Sequence, residues 1–179
     1  MSRRSRMTPM SHPDAWLALL RIATGLYFVK ALWTKLTIGF VGGVLPGLFV
    51  QQRWITVMPK IVARQASENP IPWYKAFLEH AVLPNSDLFA ILTAYGEAAV
   101  GLGLVLGVLN GAASLVGLFL VINYGLATQW MSAGQFGFHY TLFFLMIAFF
   151  FARAGRKWGL DAWIADRWPD SVLAGRPWS

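Results

Sequence analysis

AAVGLGLVLGVLNGAASLVGLFLVINYGLATQWMSAGQFGFHYTLFFLMIAFFFA, residues 98–152, holds no Asp, Glu, Lys or Arg in fifty-five positions, and it begins beside one acid, Glu97. A soluble domain of this size does not hide so long an uncharged stretch. A bilayer accommodates it: each apolar helix of about 20 residues crosses a hydrocarbon core of roughly 30 Å and satisfies its own backbone hydrogen bonds. The chain therefore reads as an integral membrane protein, all-α, with four spans in one helix bundle. Interest moves to the few polar groups that fall where lipid should be.

Over all 179 residues, 56% are hydrophobic and 13% charged, which suits one membrane bundle without a second globular domain. There is no cysteine. Disulfides, thiolate nucleophiles, Cys-ligated zinc and Cys-ligated iron–sulfur clusters are thus excluded within this chain, and any thiol chemistry belongs to a partner. The net charge of +7 collects largely at the two ends of the sequence. In a membrane protein that pattern reports topology rather than nucleic-acid binding.

The spans are expected at about 16–38, 87–109, 112–131 and 138–152, the last beginning nearer Gly134 if it is to cross fully. Pro13 and Asp14 are placed to start the first helix. Pro84-Asn85-Ser86 precedes the second, and the short Asn110-Gly111 turn makes the second and third antiparallel neighbours. Residues 1–15 form a basic tail and 16–154 the membrane domain. The stretch before the first span resembles a signal-peptide n-region, but Arg21, Lys30 and Lys35 interrupt the apolar run and no small-x-small cleavage site follows, so a retained helix is expected. Between the first two spans lies a long connection, 39–86. Its glycine and proline pairs and the amphipathic piece Leu48–Arg64 predict short interfacial or re-entrant helices at one mouth of the bundle.

Lys and Arg placement sets an orientation. Arg3, Arg4 and Arg6 precede the first span, and Arg153, Arg156 and Lys157 follow the fourth. Four spans put both ends on one side, so both termini are expected in the cytoplasm and the long loop outside, in a cytoplasmic or inner membrane. Residues 155–179, with Trp163, Ile164 and Trp168 among charges, suit a helix lying in the cytoplasmic interface.

Within the spans, Arg21 and Lys35 are fourteen residues apart. Fourteen steps of about 100° return to within about 40°, so both share a face, separated by roughly 21 Å. Each has an interface within reach for snorkelling, and so has Lys30, nearly opposite with Tyr27 and Thr34. Glu97 is different. It sits mid-span on a short side chain, where a charge costs at least about 2.5 kcal/mol. It calls for a cation, with Lys30 or Arg21 as the expected partner, or for a ligand. Asn123 and His139 are possible second contacts, and His139 divides between an interfacial role and proton exchange. One span histidine makes no metal or haem site, and none is expected. Gly101, Gly103 and Gly107 with Ala94 and Ala98 suit close helix packing.

These residues resemble the DoxX family of small four-helix membrane proteins. The resemblance runs through Arg21, Gly25, Phe28, Lys35 and Leu36; Gly96-Glu97, Gly101-Leu102, Leu104 and Leu106-Gly107; and the run from Arg153 to Asp161. Asn69-Pro70, Pro72-Trp73-Tyr74, Phe77-Leu78, Leu83-Pro84-Asn85 and Asn123-Tyr124-Gly125 look like the DoxD-type branch, the small subunit of thiosulfate:quinone oxidoreductase. The resemblance implies a membrane subunit near quinone-linked electron transfer, with thiosulfate oxidised to tetrathionate and a second oxidoreductase subunit as partner. Arg21, Lys35, Glu97 and Asp161 are this chain's matches to the family pattern.

Three functions compete. In a quinone-reactive redox subunit, Glu97 carries protons or holds the quinone head group. Arg21, Lys30, Asn123 and His139 then bind substrate, and the aromatics Tyr27, Trp33, Tyr124 and Trp130 line a cavity open to lipid. In a non-catalytic anchor or assembly subunit, the long loop docks a soluble oxidoreductase. A transporter ranks last, because no inverted repeat is evident and four helices leave little room for alternating access. Homo-oligomers are compatible with each.

Overall fold

The computed structural model describes residues 12–175 and 177–179. The basic cluster Arg3, Arg4 and Arg6, read above as a cytoplasmic tail, lies outside them. In chain order the elements are α1 (Pro13–Val29), α2 (Ala31–Thr34), β1 (Leu36–Val41), β2 (Leu45–Val50), α3 (Gln52–Ser67), α4 (Pro72–Phe77), α5 (Ser86–Leu106), α6 (Asn110–Thr128), α7 (Ala133–Phe151) and α8 (Leu160–Arg167).

Among the described residues, four helical stretches are long and apolar enough to cross a membrane: Pro13–Thr34, Ser86–Leu106, Asn110–Met131 and Ala133–Phe151. The protein is a multi-pass, all-α membrane bundle. Local chemistry sets the ends. Pro13 opens α1 with Asp14 in its first turn. Gly107 closes α5 at φ +60°, a left-handed cap that costs glycine little. The Ser132 hydroxyl accepts the Gln135 amide at 3.1 Å and starts α7.

Antiparallel α1 and α5 meet through small residues. A Cβ on Gly101 would lie 2.5 Å from the Val29 nitrogen, and one on Gly25 would lie 2.7 Å from that of Val105. Backbones therefore touch where a side chain would hold them apart. Around this seam Phe28, Val100, Leu104, Val121, Met146 and Phe149 form the main core. A second core joins the loop to the bundle, with Met58, Val62, Tyr74, Leu78, Val82 and Ala127 packed together. This end is called the loop face here, and the opposite end, where α6 begins and the tail returns, the termini face.

Two expectations need correction. The first span does not run as helix to Ile38, and the loop is not wholly helical. Helix stops at Thr34, and Leu36–Val41 pairs antiparallel with Leu45–Val50, Leu36 opposite Val50 and Val41 opposite Leu45. Gly42 and Gly43 both take positive φ at the turn, the backbone such tight hairpins require. β-branched and aromatic residues favour strand here, and Pro46 is tolerated because neither strand has a second neighbour among the described residues. Past the hairpin, α3 supplies the amphipathic helix expected nearby.

Arg21 also departs from expectation. It does not snorkel: it is fully buried at the termini face. Its guanidinium donates to the Leu104 carbonyl, to Val105 O at 3.4 Å and to Trp158 O at 3.1 Å. A cation there satisfies the last carbonyls of α5 and meets the negative end of its dipole. Asp161 does the reverse for α6, accepting the Leu109 amide at 2.8 Å and the Asn110 amide at 2.9 Å. Burial pushes the Asp161 carboxyl up, against the opposing pull of those amides and of Arg156 and Arg21.

Candidate functional site

Glu97 is the twelfth residue of α5, about 16 Å from Ser86 and about 14 Å from Leu106 at 1.5 Å per residue. It is buried, and its partner is Lys35 rather than Lys30 or Arg21: Lys35 Nζ lies 2.7 Å from Glu97 Oε1. The hairpin explains the exchange. Because helix ends at Thr34, the chain turns at Lys35 and Leu36 packs against Ala94 and Ala98, which delivers the lysine to the level of Glu97. Arg21 is held at the termini face. Lys30 instead stands 3.7 Å over the Tyr27 ring.

A third group completes the cluster. The Tyr124 hydroxyl donates to the same Glu97 Oε1 at 2.6 Å. Among the described residues, neither hydrogen bond falls on Oε2. The Lys35 ammonium also lies 4.0 Å from the Trp54 ring centroid, an attraction that holds it beside the acid in a poorly solvated place. An ion pair, a phenol and a spare carboxylate oxygen therefore meet in mid-bundle.

Two cavities flank Tyr124. The larger, about 570 Å³, is an apolar groove between α5, α6 and the loop helices. Its wall includes Ile91, Leu92 and Phe119, all exposed on the outside of the bundle, so it opens on the bundle's outer surface. Its polar groups are few: Tyr74, Asn123, Tyr124 and Gln65 among them. The Tyr74 hydroxyl donates to the Asn123 carbonyl oxygen at 2.8 Å, and burial pushes that phenol up to about 12. The smaller cavity, about 250 Å³, is the more polar of the two, with Tyr27, Gln65, Thr128, Gln135 and His139 beside Tyr124 and Phe138 on its apolar side.

The candidates read from sequence therefore sort by place. Glu97 sits at the centre. Tyr124 and Asn123 reach the groove, and Tyr27 and His139 line the polar cavity. Trp33 and Trp130 line neither. Trp33 is exposed, and its carbonyl accepts from Gln51, while the Trp130 indole donates to Ala127 O. Sequence reading passed over Tyr74 and Gln65 as contributors and Lys35 as the partner. Tyr74 stood within a motif of the resemblance, whereas Gln65 had no signal beyond its place on an amphipathic helix. Among the described residues no group of three His, Cys, Asp or Glu could hold a metal ion.

The model of a family described as TQO small subunit DoxD matches residues 16–174. No curated protein and no solved structure matches the chain.

Proposed function

The chain belongs to the DoxD family, and on that premise we propose that it is the membrane subunit of a quinone-linked oxidoreductase. It takes electrons from thiosulfate, which becomes tetrathionate, and passes them to membrane quinone. One observation carries the reading: Tyr124, bonded to the mid-membrane acid Glu97, stands in the wall of an apolar groove open on the bundle's outer surface. A ligand with an apolar tail and a carbonyl head group suits that wall. The tail meets Leu92, Phe119 and Ile91, and the head group meets the hydroxyls and amide of Tyr124, Tyr74 and Asn123.

Quinone supplies two-electron, two-proton acceptor chemistry. This chain's part is to orient the head group and to move protons. The Tyr124 hydroxyl gives its one hydrogen to Glu97 Oε1 and turns from the acid to donate it to a quinone oxygen. Glu97, paired with Lys35 through Oε1, has Oε2 free of hydrogen bonds from the described residues and can take up a proton there without breaking the contact on Oε1. The termini face, with Arg153, Arg156 and Lys157, is assigned to the cytoplasm and the loop face to the outside of an inner membrane. A second oxidoreductase subunit docks there.

One observation favours a rival. Lys35 and Glu97 already neutralise one another, as in a purely structural pair within a non-catalytic anchor. Thiosulfate-dependent reduction of a short-chain quinone by the purified protein in lipid, wild type against Glu97→Gln, separates the two. Loss of about 100-fold in a normally folded mutant is expected for a proton-transfer group. No activity in either protein would favour the anchor, whereas equal activity in both would remove Glu97 from the chemistry.

A further inference from the structure

Resting on the quinone-linked reading, we infer that the polar cavity between Tyr27, Gln65, Tyr124, Thr128, Gln135 and His139 is a water-filled proton inlet that recharges Tyr124, with His139 as its exchanging group. Chemistry demands an inlet. Two thiosulfate dianions couple through a new S–S bond to one tetrathionate dianion, releasing two electrons and no proton. A quinone becomes quinol by taking two electrons and two protons. Both protons must therefore come from water, and the apolar groove has no means of conducting them.

Tyr124 is on the wall of both cavities, and its hydroxyl is the bonded neighbour of Glu97. A proton that leaves the phenol for a quinone oxygen is replaced from water on the polar side. Some 250 Å³ gives room for several waters at about 30 Å³ each, and the six side chains offer them hydrogen-bonding partners. His139 is tied by Nδ1 to the Gln135 carbonyl at 2.8 Å. A carbonyl only accepts, so Nδ1 bears the hydrogen and Nε2 of the neutral ring is left to accept a proton from cavity water.

The titratable groups facing this space are Tyr27 from α1, with Lys30 over its ring, Tyr124 from α6 and His139 from α7. From α3 comes the uncharged Gln65, and behind Tyr124 stand Glu97 and Lys35. His139 is thus the imidazole among them, and its removal should erase one identifiable step from a pH profile.

The absence of cysteine makes a clean test. His139→Cys and, as control, Phe119→Cys on the groove wall are exposed in lipid vesicles to a charged, membrane-impermeant thiol reagent. Labelling of His139→Cys but not of Phe119→Cys is expected, and a His139→Cys that stays unlabelled overturns the inlet. In parallel, quinol formation is followed against pH. His139→Gln should be slower by about 100-fold and should lose a pH step present in the wild type. His139→Gly should regain rate with added imidazole, which a merely structural histidine would not allow. A His139→Gln protein with the wild-type pH profile overturns the inference. A wild type that reduces no quinone sinks the proposed function instead, and the thiol labelling still decides whether the cavity admits water.

Discussion

At the scale of single residues, the four positions that the resemblance pointed to, Arg21, Lys35, Glu97 and Asp161, divide into two pairs with different duties. Arg21 and Asp161 close helix ends at the termini face. Lys35 and Glu97 meet in mid-bundle, side chain to side chain rather than on backbone groups. Removing one member of a buried pair strands the other charge, at a cost of about 3–5 kcal/mol. Lys35→Met should therefore unfold at clearly lower denaturant, and adding Glu97→Leu should recover most of the loss. If the single and double variants are equally unstable in a denaturant titration, the pair is not coupled as described. That a mid-span acid needs a cation was legible from residue types. Which cation was not, because the choice depended on where the helix stopped.

Among the elements, the hairpin is the one that periodicity did not reveal. Residues 36–50 carry no charge, and both faces expose large apolar side chains, among them Ile38, Phe40, Val44 and Leu45. A hairpin standing in water would turn at least one polar face outward. Its base is pinned inside the bundle: Leu36 packs against Ala94 and Ala98, and the Tyr95 hydroxyl donates to Leu48 O at 2.6 Å. The Gln51 side chain donates to Leu36 O at 2.7 Å. These bonds satisfy carbonyls that lipid would leave unpaired, which is what membrane depth requires. A nitroxide on Val44→Cys should collide more readily with oxygen than with a water-soluble nickel complex. The reverse preference would put the hairpin tip in water. Sequence reading stretched the first helix to Ile38 because an apolar run looks alike as strand or helix when no polar residue marks its period.

For the whole molecule, the termini face acts as a clasp. The Trp178 carbonyl accepts the Gly111 amide at 3.0 Å, and Arg153 donates through Nε to Ser179 O at 3.0 Å. Asp161 joins α8 to the first turn of α6 within the same assembly. Asp161→Asn keeps the size but turns an amide toward a backbone N–H, so one capping bond is lost, at a cost of about 1–2 kcal/mol. Lower thermal stability with unchanged quinone reduction is the expected result. A variant that is as stable as wild type and inactive would move Asp161 into the functional site.

Membrane residence, the four crossings and the family were determined by the sequence alone, because an uncharged run of fifty-five residues has one stable solvent and short motifs keep their order along the chain. Only the tertiary structure decided that Lys35 rather than Lys30 or Arg21 meets Glu97, and that Tyr124 divides an apolar groove from a polar cavity. Those facts rest on contacts between residues 62 and 27 positions apart. Helix-to-helix register and a hairpin turn set them, and neither is written in the pattern of any single segment.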